Sequence, residues 1–522
     1  MRIVARCRRP LTKGERPQND LGFADRQPRK GTLVVNTTDQ AQYRTSLLNR
    51  LRPLCQDFAF AQRLWGFQRI ALFLWIASID PIRHILGRCY TGRGRPPRDP
   101  AAMFRTWLLA TRLGITSAKD WAKRLQTDPL LAILSGFDPN DTPAASTLRD
   151  FHLRLTRHMR RRARVHRPHR KRSKGPGKGK KRPLRRAGVL WRLQAELPRF
   201  SRGDEGPLQE ILAAVAHTSA ELRLIELDQL RIAGDSTVLP AHANSFGRRV
   251  CTCSPASLCT CNRRFSDADA TWGWDSSRGI WIYGHRFYEI TAAGYGHDLP
   301  LYLRAVGADR HDAVSWMASY ADFHTYYADA TVHRVILDSA HDAGAIFDQL
   351  QRDGVQAIID LNPAHNRKAL SLTPDGRPVC ECGEPMAPDG SSRGRPKFVC
   401  PRKRKRDAAD DRPPCPHAVY LSGDAAFRLH PGLARGTRAW TLAYNPRTGT
   451  ERSHSRKRND FGQTACRARG RPTRSFFYFL AACAQHFDAW ADQAHLRAET
   501  VFGHLLNPHL SVLLTLPRDA AA

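Results

Sequence analysis

Apolar positions change their period near the middle of the chain. Between residues 46 and 156 they recur at helical intervals, interrupted by GRGRPPRDP at Gly92–Pro100. The pattern predicts one helix that starts after Pro100 and runs through MFRTWLLATRLG, and a second, SAKDWAKRL, capped by Ser117. A turn-rich joint, FDPNDTPAAS, leads to a third that opens at Ser146. Short helices joined by tight turns fit a helix-turn-helix-like DNA-binding domain, and they also fit an ordinary helical bundle. From Leu190 a helical stretch gives way to apolar runs of strand length. RIAGDSTV, IWIYGHRFYEITAAG and LPLYLRAVGA read as three strands, the last two joined as a hairpin through GYGHD. DAVSWMASYADFHTYY follows as a helix, VHRVILDSA as a strand, HDAGAIFDQLQRDG as a helix and VQAIIDLN as a strand. The order β-β-β-α-β-α-β predicts an α/β fold, a mixed sheet with helices on both faces.

The 522 residues are too many for one core and divide by composition. Residues 1–45 are predicted to be weakly ordered, 46–156 to form the helical DNA-binding domain, and 157–187 to be a basic linker. Residues 157–186 hold 16 Lys or Arg and no acid, so they cannot build a core and should form a flexible tether to phosphates. Residues 188–360 carry the first part of the α/β domain, 361–438 a cysteine-bearing basic insert, and 439–522 the last part with C-terminal helices. Lys and Arg total 83 against 48 Asp and Glu, a net charge of +35. That excess points to a polyanionic partner, nucleic acid above all. The most apolar run, IALFLWIASI at Ile70–Ile79, is too short to span a bilayer, so no membrane role is predicted. The first residues lack the apolar centre of a secretory signal. The expected location is the cytoplasm, in association with the nucleoid.

Three acids stand out against the positive charge. Asp235 follows RIAG, Asp338 follows VHRVIL, and Glu451 lies within YNPRTGTERSHSRKR at Tyr444–Arg458. Both aspartates are predicted at strand C-termini, where open α/β sheets bind ligands. On neighbouring strands they could share Mg²⁺ (or Mn²⁺), a hard cation that takes carboxylates, waters and phosphate oxygens. Glu451, on a later helix, would complete the site. Taken singly, each acid is as readily a solvated or capping residue.

The spacing of Tyr444, Arg447, Glu451 and Arg458 resembles the YREK signature of bacterial insertion-sequence transposases with a DDE catalytic triad. The resemblance extends to DFGQTACRARG, to Arg263–Tyr288, to LDSAHDAGAIFDQL at Leu337–Leu350 and to GRPPRDPAAMFRTWLLATRLGITSAKDWAKRL, in the family's order. It covers most of residues 90–490. It implies an RNase H-like catalytic domain in which Asp235, Asp338 and Glu451 are catalytic and hold the metal. It further implies that Tyr444, Arg447, Lys457 and Arg458 contact DNA. The activity implied is binding of terminal inverted repeats, Mg²⁺-dependent strand cleavage and transfer of the freed 3′-hydroxyl to target DNA. A homodimer would synapse the two ends. The chain departs from the family at Arg458, where a lysine is usual, and at Ser339–Asp342, where a Gly-Tyr pair is usual. Glu499 is a rival third acid without the preceding Tyr and Arg. A transposase-derived DNA-binding protein that no longer cuts, and a nuclease of the same fold without strand transfer, are the alternative readings.

The cysteines form two groups. CTCSPASLCTC places Cys251, Cys253, Cys259 and Cys261 in one loop, and the insert carries Cys380, Cys382, Cys400 and Cys415. In a reducing compartment such sets are reduced thiols or tetrahedral Zn²⁺ sites. Cys7, Cys55, Cys89, Cys466 and Cys483 lack ligand spacing and should be packing residues. Trp272 and Trp274 are expected in the core. His285, His311 and His341 could line the cleft, or be structural.

Overall fold

Aspartate and serine caps punctuate the helical half. The computed structural model describes residues 37–90, 96–168, 186–200, 202–254, 259–275, 278–362, 377–392, 395–403, 414–420, 437–507 and 509–515, with single positions at 35, 373, 428, 433 and 435. Its first helices are α1 (Gln40–Leu54), α2 (Phe58–Gly66), α3 (Gln68–Ile76), α4 (Arg83–Arg88), α5 (Pro100–Arg112), α6 (Ala118–Thr127), α7 (Pro129–Ser135) and α8 (Ala145–Leu155). Side chains of Asp39, Asp57, Asp99, Ser117 and Asp128 accept from the first-turn amides of α1, α2, α5, α6 and α7. The helix predicted after Pro100 is α5, and every residue from Pro100 to Thr111 is buried. It is a central core helix and presents no face to DNA. By contrast α6 is amphipathic: Trp121, Ala122 and Leu125 point inward, while Lys123 and Arg124 are exposed. Residues 1–34, with Cys7, lie outside the described residues, and α1 begins inside the segment expected to be weakly ordered.

The main sheet contains β1 (Leu230–Pro240), β2 (Thr271–Asp275), β3 (Ile280–Ala292), β4 (Pro300–Gly307), β5 (Val332–Leu337) and β6 (Gln356–Ile359). β3 is the longest. It runs antiparallel to β1 along one edge and to β2 and β4 along the other. β5 lies parallel to β1, and β6 parallel to β5. The spatial order is therefore β4/β2, β3, β1, β5, β6, a mixed sheet containing the β3–β4 hairpin seen in the residue pattern. The remaining helices are α9 (Arg186–Phe200), α10 (Pro207–Glu221), α11 (Asp312–Tyr326), α12 (Gly344–Arg352), α13 (Arg438–Tyr444), α14 (Thr448–Asn459), α15 (Arg471–Ala494) and α16 (Ala498–Leu506). They cover both faces. Gly234 in β1 lies under Trp316 of α11, whereas its neighbour Ala233 packs with Trp440 of α13.

One hydrophobic core runs from Tyr43 to Leu513. Trp107 of α5 meets Phe476 and Phe477 of α15 edge-on, with ring centroids 5.8 and 5.3 Å apart. The helical half is therefore packed onto the α/β half through α15. No single helix among the described residues is long and apolar enough to cross a membrane.

Two small sheets stand apart. One has three two-residue strands, with Arg263–Arg264 between Val165–His166 and Arg248–Arg249. The described part of the basic tether, up to residue 168, thus ends in a strand; residues 169–185 lie outside the described residues. The other small sheet is in the insert: β7 (Ala387–Ser392), β8 (Arg395–Val399) and β9 (Ala418–Tyr420), in that order.

Candidate active site

Register places two acids side by side. Gly234 of β1 pairs with Leu337 of β5, the last residue of that strand. Asp235 and Asp338 are the next residues in each chain direction, at the point where the parallel pairing ends. Asp338 follows its strand, as expected. Asp235 does not end β1, because antiparallel pairing with β3 carries β1 on to Pro240. Asp235 is therefore mid-strand rather than at a strand end, and only the pairing with β5 stops before it, at Gly234.

Their electrostatics differ. Burial, then the charges of Asp312 and Asp338, push the Asp235 carboxyl up to about 7. Burial also pushes Asp338 upward, but the His341 imidazole, with Arg447 and the Ala340 amide, outweighs it and holds Asp338 below the usual carboxylate range. His341 is fully buried; its Nδ1 is 2.5 Å from Asp338 Oδ1 and its Nε2 2.8 Å from the Tyr288 hydroxyl. Asp312, at the start of α11, accepts from Arg286 Nη1 at 2.7 Å and from the Ser236 hydroxyl. Nothing in its sequence context, a polar residue opening a helix, distinguished Asp312 as a neighbour of the pair.

The third acid arrives on the same face. Side chains alternate along a strand, so Ala233 and Asp235 share one face of β1. Trp440 and Ala443 of α13 pack there against Ala233, Ile336 and Ile358. A short turn, Asn445–Arg447, leads into α14, which packs across β1 and β3. His454 Nε2 lies 3.4 Å from the Asp235 carbonyl oxygen, and Glu451 stands about one turn before it. Glu451 is exposed and accepts from Arg447 Nη1 at 2.6 Å. Arg447 lies over the Tyr444 ring at 5.3 Å, and its charge helps hold Asp338 low. Tyr444, Arg447 and Glu451 thus cluster beside Asp338, with Arg447 bound to the acid rather than free for phosphate.

Lys457 is elsewhere. It is fully buried, with Nζ 3.0 Å from the Glu289 carboxylate, 2.7 Å from Ser453 Oγ and 2.8 Å from Gln485 Oε1. Residues 453 and 457 are one turn apart and both face the sheet. In this position Lys457 cannot grip DNA; it bolts α14 to β3. Burial draws its pKa down to about 8 against the pull of Glu289. Arg458, next around the helix, is half-buried.

The other candidates divide. His285 is buried against Asp267 at 2.9 Å, and His311 caps α11, so both are structural. Trp272 is half-buried against Tyr283, but Trp274 is 46% exposed, because it lies on the edge strand β2, where its ring meets Trp281 edge-on. Glu499 opens α16, which packs on α1 and α3 rather than on the acid-bearing strands. Cys55, Cys89, Cys466 and Cys483 are buried packing residues.

Both four-cysteine groups converge, the four sulfur atoms of each lying within 4.8 Å of one another. Each group could hold a metal ion such as Zn²⁺. In the insert the thiols are themselves the core, with Met386, Phe398 and Val419. Gly383, with φ of +88°, turns the chain directly after Cys382.

No curated protein matches the chain. Residues 72–154, from within α3 to the end of α8, match a family model described as a transposase domain (DUF772), and this match supports a transposase.

Proposed function

We propose that the chain is a DDE transposase that binds the terminal inverted repeats of an insertion sequence, cleaves DNA with Mg²⁺ and joins the freed 3′ end to target DNA. The observation that carries this reading is the register-matched pair Asp235 and Asp338, with the helix bearing Glu451 laid over the same face. An acid on the central strand β1, flanked by antiparallel β3 and parallel β5, is the arrangement expected of an RNase H-like domain and supports that assignment.

The donor set fits a hard divalent cation. It is all oxygen, and burial, reinforced by the charges of Asp312 and Asp338, keeps the Asp235 carboxyl from ionising at its ordinary pH. Asp235 and Asp338 would hold Mg²⁺ or Mn²⁺, with Glu451 completing the set. When bound, the metal supplies an activated water and neutralises charge on the leaving oxygen. His341, clamped by Tyr288, fixes the orientation of Asp338. Glu451 reaches the pair by giving up Arg447, which releases that guanidinium to phosphate. Arg458, with Lys123 and Arg124 of α6, would add further phosphate contacts. The Cys380 group would hold Zn²⁺ and stabilise an insert too small to have another core. Two chains would pair the two ends as a homodimer.

The test is cleavage of a duplex carrying the repeats that flank the coding region. Mg²⁺-dependent release of 3′-hydroxyl ends, lost in Asp235→Asn, Asp338→Asn and Glu451→Gln, is expected. Joining of pre-cut ends to a plasmid distinguishes a transposase from a nuclease. Binding without any cleavage would replace this reading with that of a DNA-binding derivative.

A further inference from the structure

The hairpin between β1 and β2 has a chemistry of its own. Arg249 pairs with Arg263, and Arg248 with Arg264. Each strand then runs straight into a Cys-x-Cys arm: Cys251 and Cys253 on one side, Cys259 and Cys261 on the other. Continuing the antiparallel register sets Cys251 opposite Cys261 and Cys253 opposite Cys259. Because side chains alternate along extended chain, residues two apart share a face, so all four thiols fall on one side of the hairpin. The structure has them there, with Cys251 and Cys259 sulfurs 3.2 Å apart and Cys253 and Cys261 sulfurs 3.5 Å apart. A Cys-x-Cys spacing is therefore the right one for a hairpin site. No apolar cluster includes these cysteines, so beyond the short ladder at Arg248–Arg249 and Arg263–Arg264 the arms have no hydrophobic core of their own.

The arginines need explaining too. Arg248 and Arg264 are exposed and sit directly opposite one another, an arrangement that is destabilising for like charges. Neither has a carboxylate partner among the described residues. The strand that completes this sheet, Val165–His166, brings exposed Arg164 and Arg167 from the basic tether to the same place. A polyanion would relieve this concentration of charge.

We infer that the hairpin binds one Zn²⁺ through Cys251, Cys253, Cys259 and Cys261, and that the metal clamps Arg248 and Arg264 into a grip for DNA phosphates. Binding exchanges the thiol protons for the metal, leaving a four-thiolate site. The grip rests on the reading that DNA is the partner; the metal site does not.

The experiment uses the full chain purified under reducing conditions. Zinc measured by mass spectrometry should fall by one equivalent in Cys251→Ser/Cys259→Ser, and an unchanged content would overturn the site. Should that variant not fold, cobalt(II) exchanged into the wild-type chain decides: charge-transfer absorption of two tetrathiolate centres is expected, and intensity for one overturns it. Two disulfides within the hairpin would overturn it as well. Arg248→Ala/Arg264→Ala should keep its zinc and bind a random-sequence duplex with a salt slope smaller by nearly two, about 0.9 per lost phosphate contact. An unchanged slope removes the grip. Strand cleavage with Mg²⁺ is assayed separately, so failure of the catalytic reading leaves zinc content and salt slope to judge the hairpin.

Discussion

Asp235 and Glu289 are directly opposite each other on adjacent strands, yet they are treated in opposite ways. Glu289 is fully buried and cancelled by Lys457, and it accepts from the Ser453 hydroxyl, while Gln485 accepts from Lys457. Asp235 is half-buried, has no cation bound to its side chain among the described residues, and faces two further carboxylates. The difference separates structure from function. A buried charge whose partner is supplied by the fold fixes a helix. A carboxylate left beside other carboxylates stores repulsion that a metal ion can relieve. The two sites share one helix, since α14 is bolted at Lys457 and presents Glu451 one and a half turns away.

The largest effect should come from the unpaired side. Asp235→Asn or Asp338→Asn is expected to lower Mg²⁺-dependent cleavage about a thousandfold or more, since several kcal/mol of transition-state stabilisation is removed. The thermal midpoint of Asp235→Asn should stay level or rise, because a repelled carboxylate is gone. Loss of fold together with activity would erase the contrast.

Next comes the paired side. Lys457→Met strands a buried carboxylate and should reduce unfolding free energy by about 3–5 kcal/mol, read from denaturant titration. Combining it with Glu289→Gln should restore most of that. A single variant no worse than an average surface change would mean that the pair does not hold α14.

His454 lies between the two sites, 3.5 Å from Glu289 and in reach of the Asp235 carbonyl. Burial pushes its pKa down to about 4. Between pH 6.5 and about 4 the unfolded chain therefore binds a proton that the folded chain refuses. The stability this neutral imidazole contributes is present above pH 6.5 and is lost on acidification, by up to about 1.4 kcal/mol per pH unit. The stability gap between wild type and His454→Gln should shrink over that range. A gap that is constant with pH would show that the histidine titrates normally.

The smallest effect belongs to Arg447. Its pair with exposed Glu451 spans one helical turn, so Arg447→Ala should change stability by no more than about 0.5 kcal/mol while weakening DNA binding. A large loss of stability would make Arg447 a structural residue like Lys457.

Much of the candidate site was legible in the chain. Asp235 and Asp338 were readable because each ends or interrupts an apolar run whose period marks a strand, and Glu451 because Tyr444 and Arg447 precede it. The cysteine pairs were readable from their spacing. Lys457 was misread, since a lysine in an arginine-rich helix looks like surface charge until Glu289, 168 positions earlier, is seen beneath it. Asp312 was missed for the same reason: its importance lies in what it faces. The pattern of the helix after Pro100 fits a DNA-binding domain and a bundle alike, and only the burial of every residue from Pro100 to Thr111 makes it a core helix.

The sequence by itself determined the elements, their order, the charge excess and the identity of the candidate acids, because periodicity and composition are local properties. Only the tertiary structure decided which charges are partners. Burial and cross-strand register place distant residues within a few ångströms, and at that range a neighbouring cation or carboxylate determines whether an acid is cancelled or repelled.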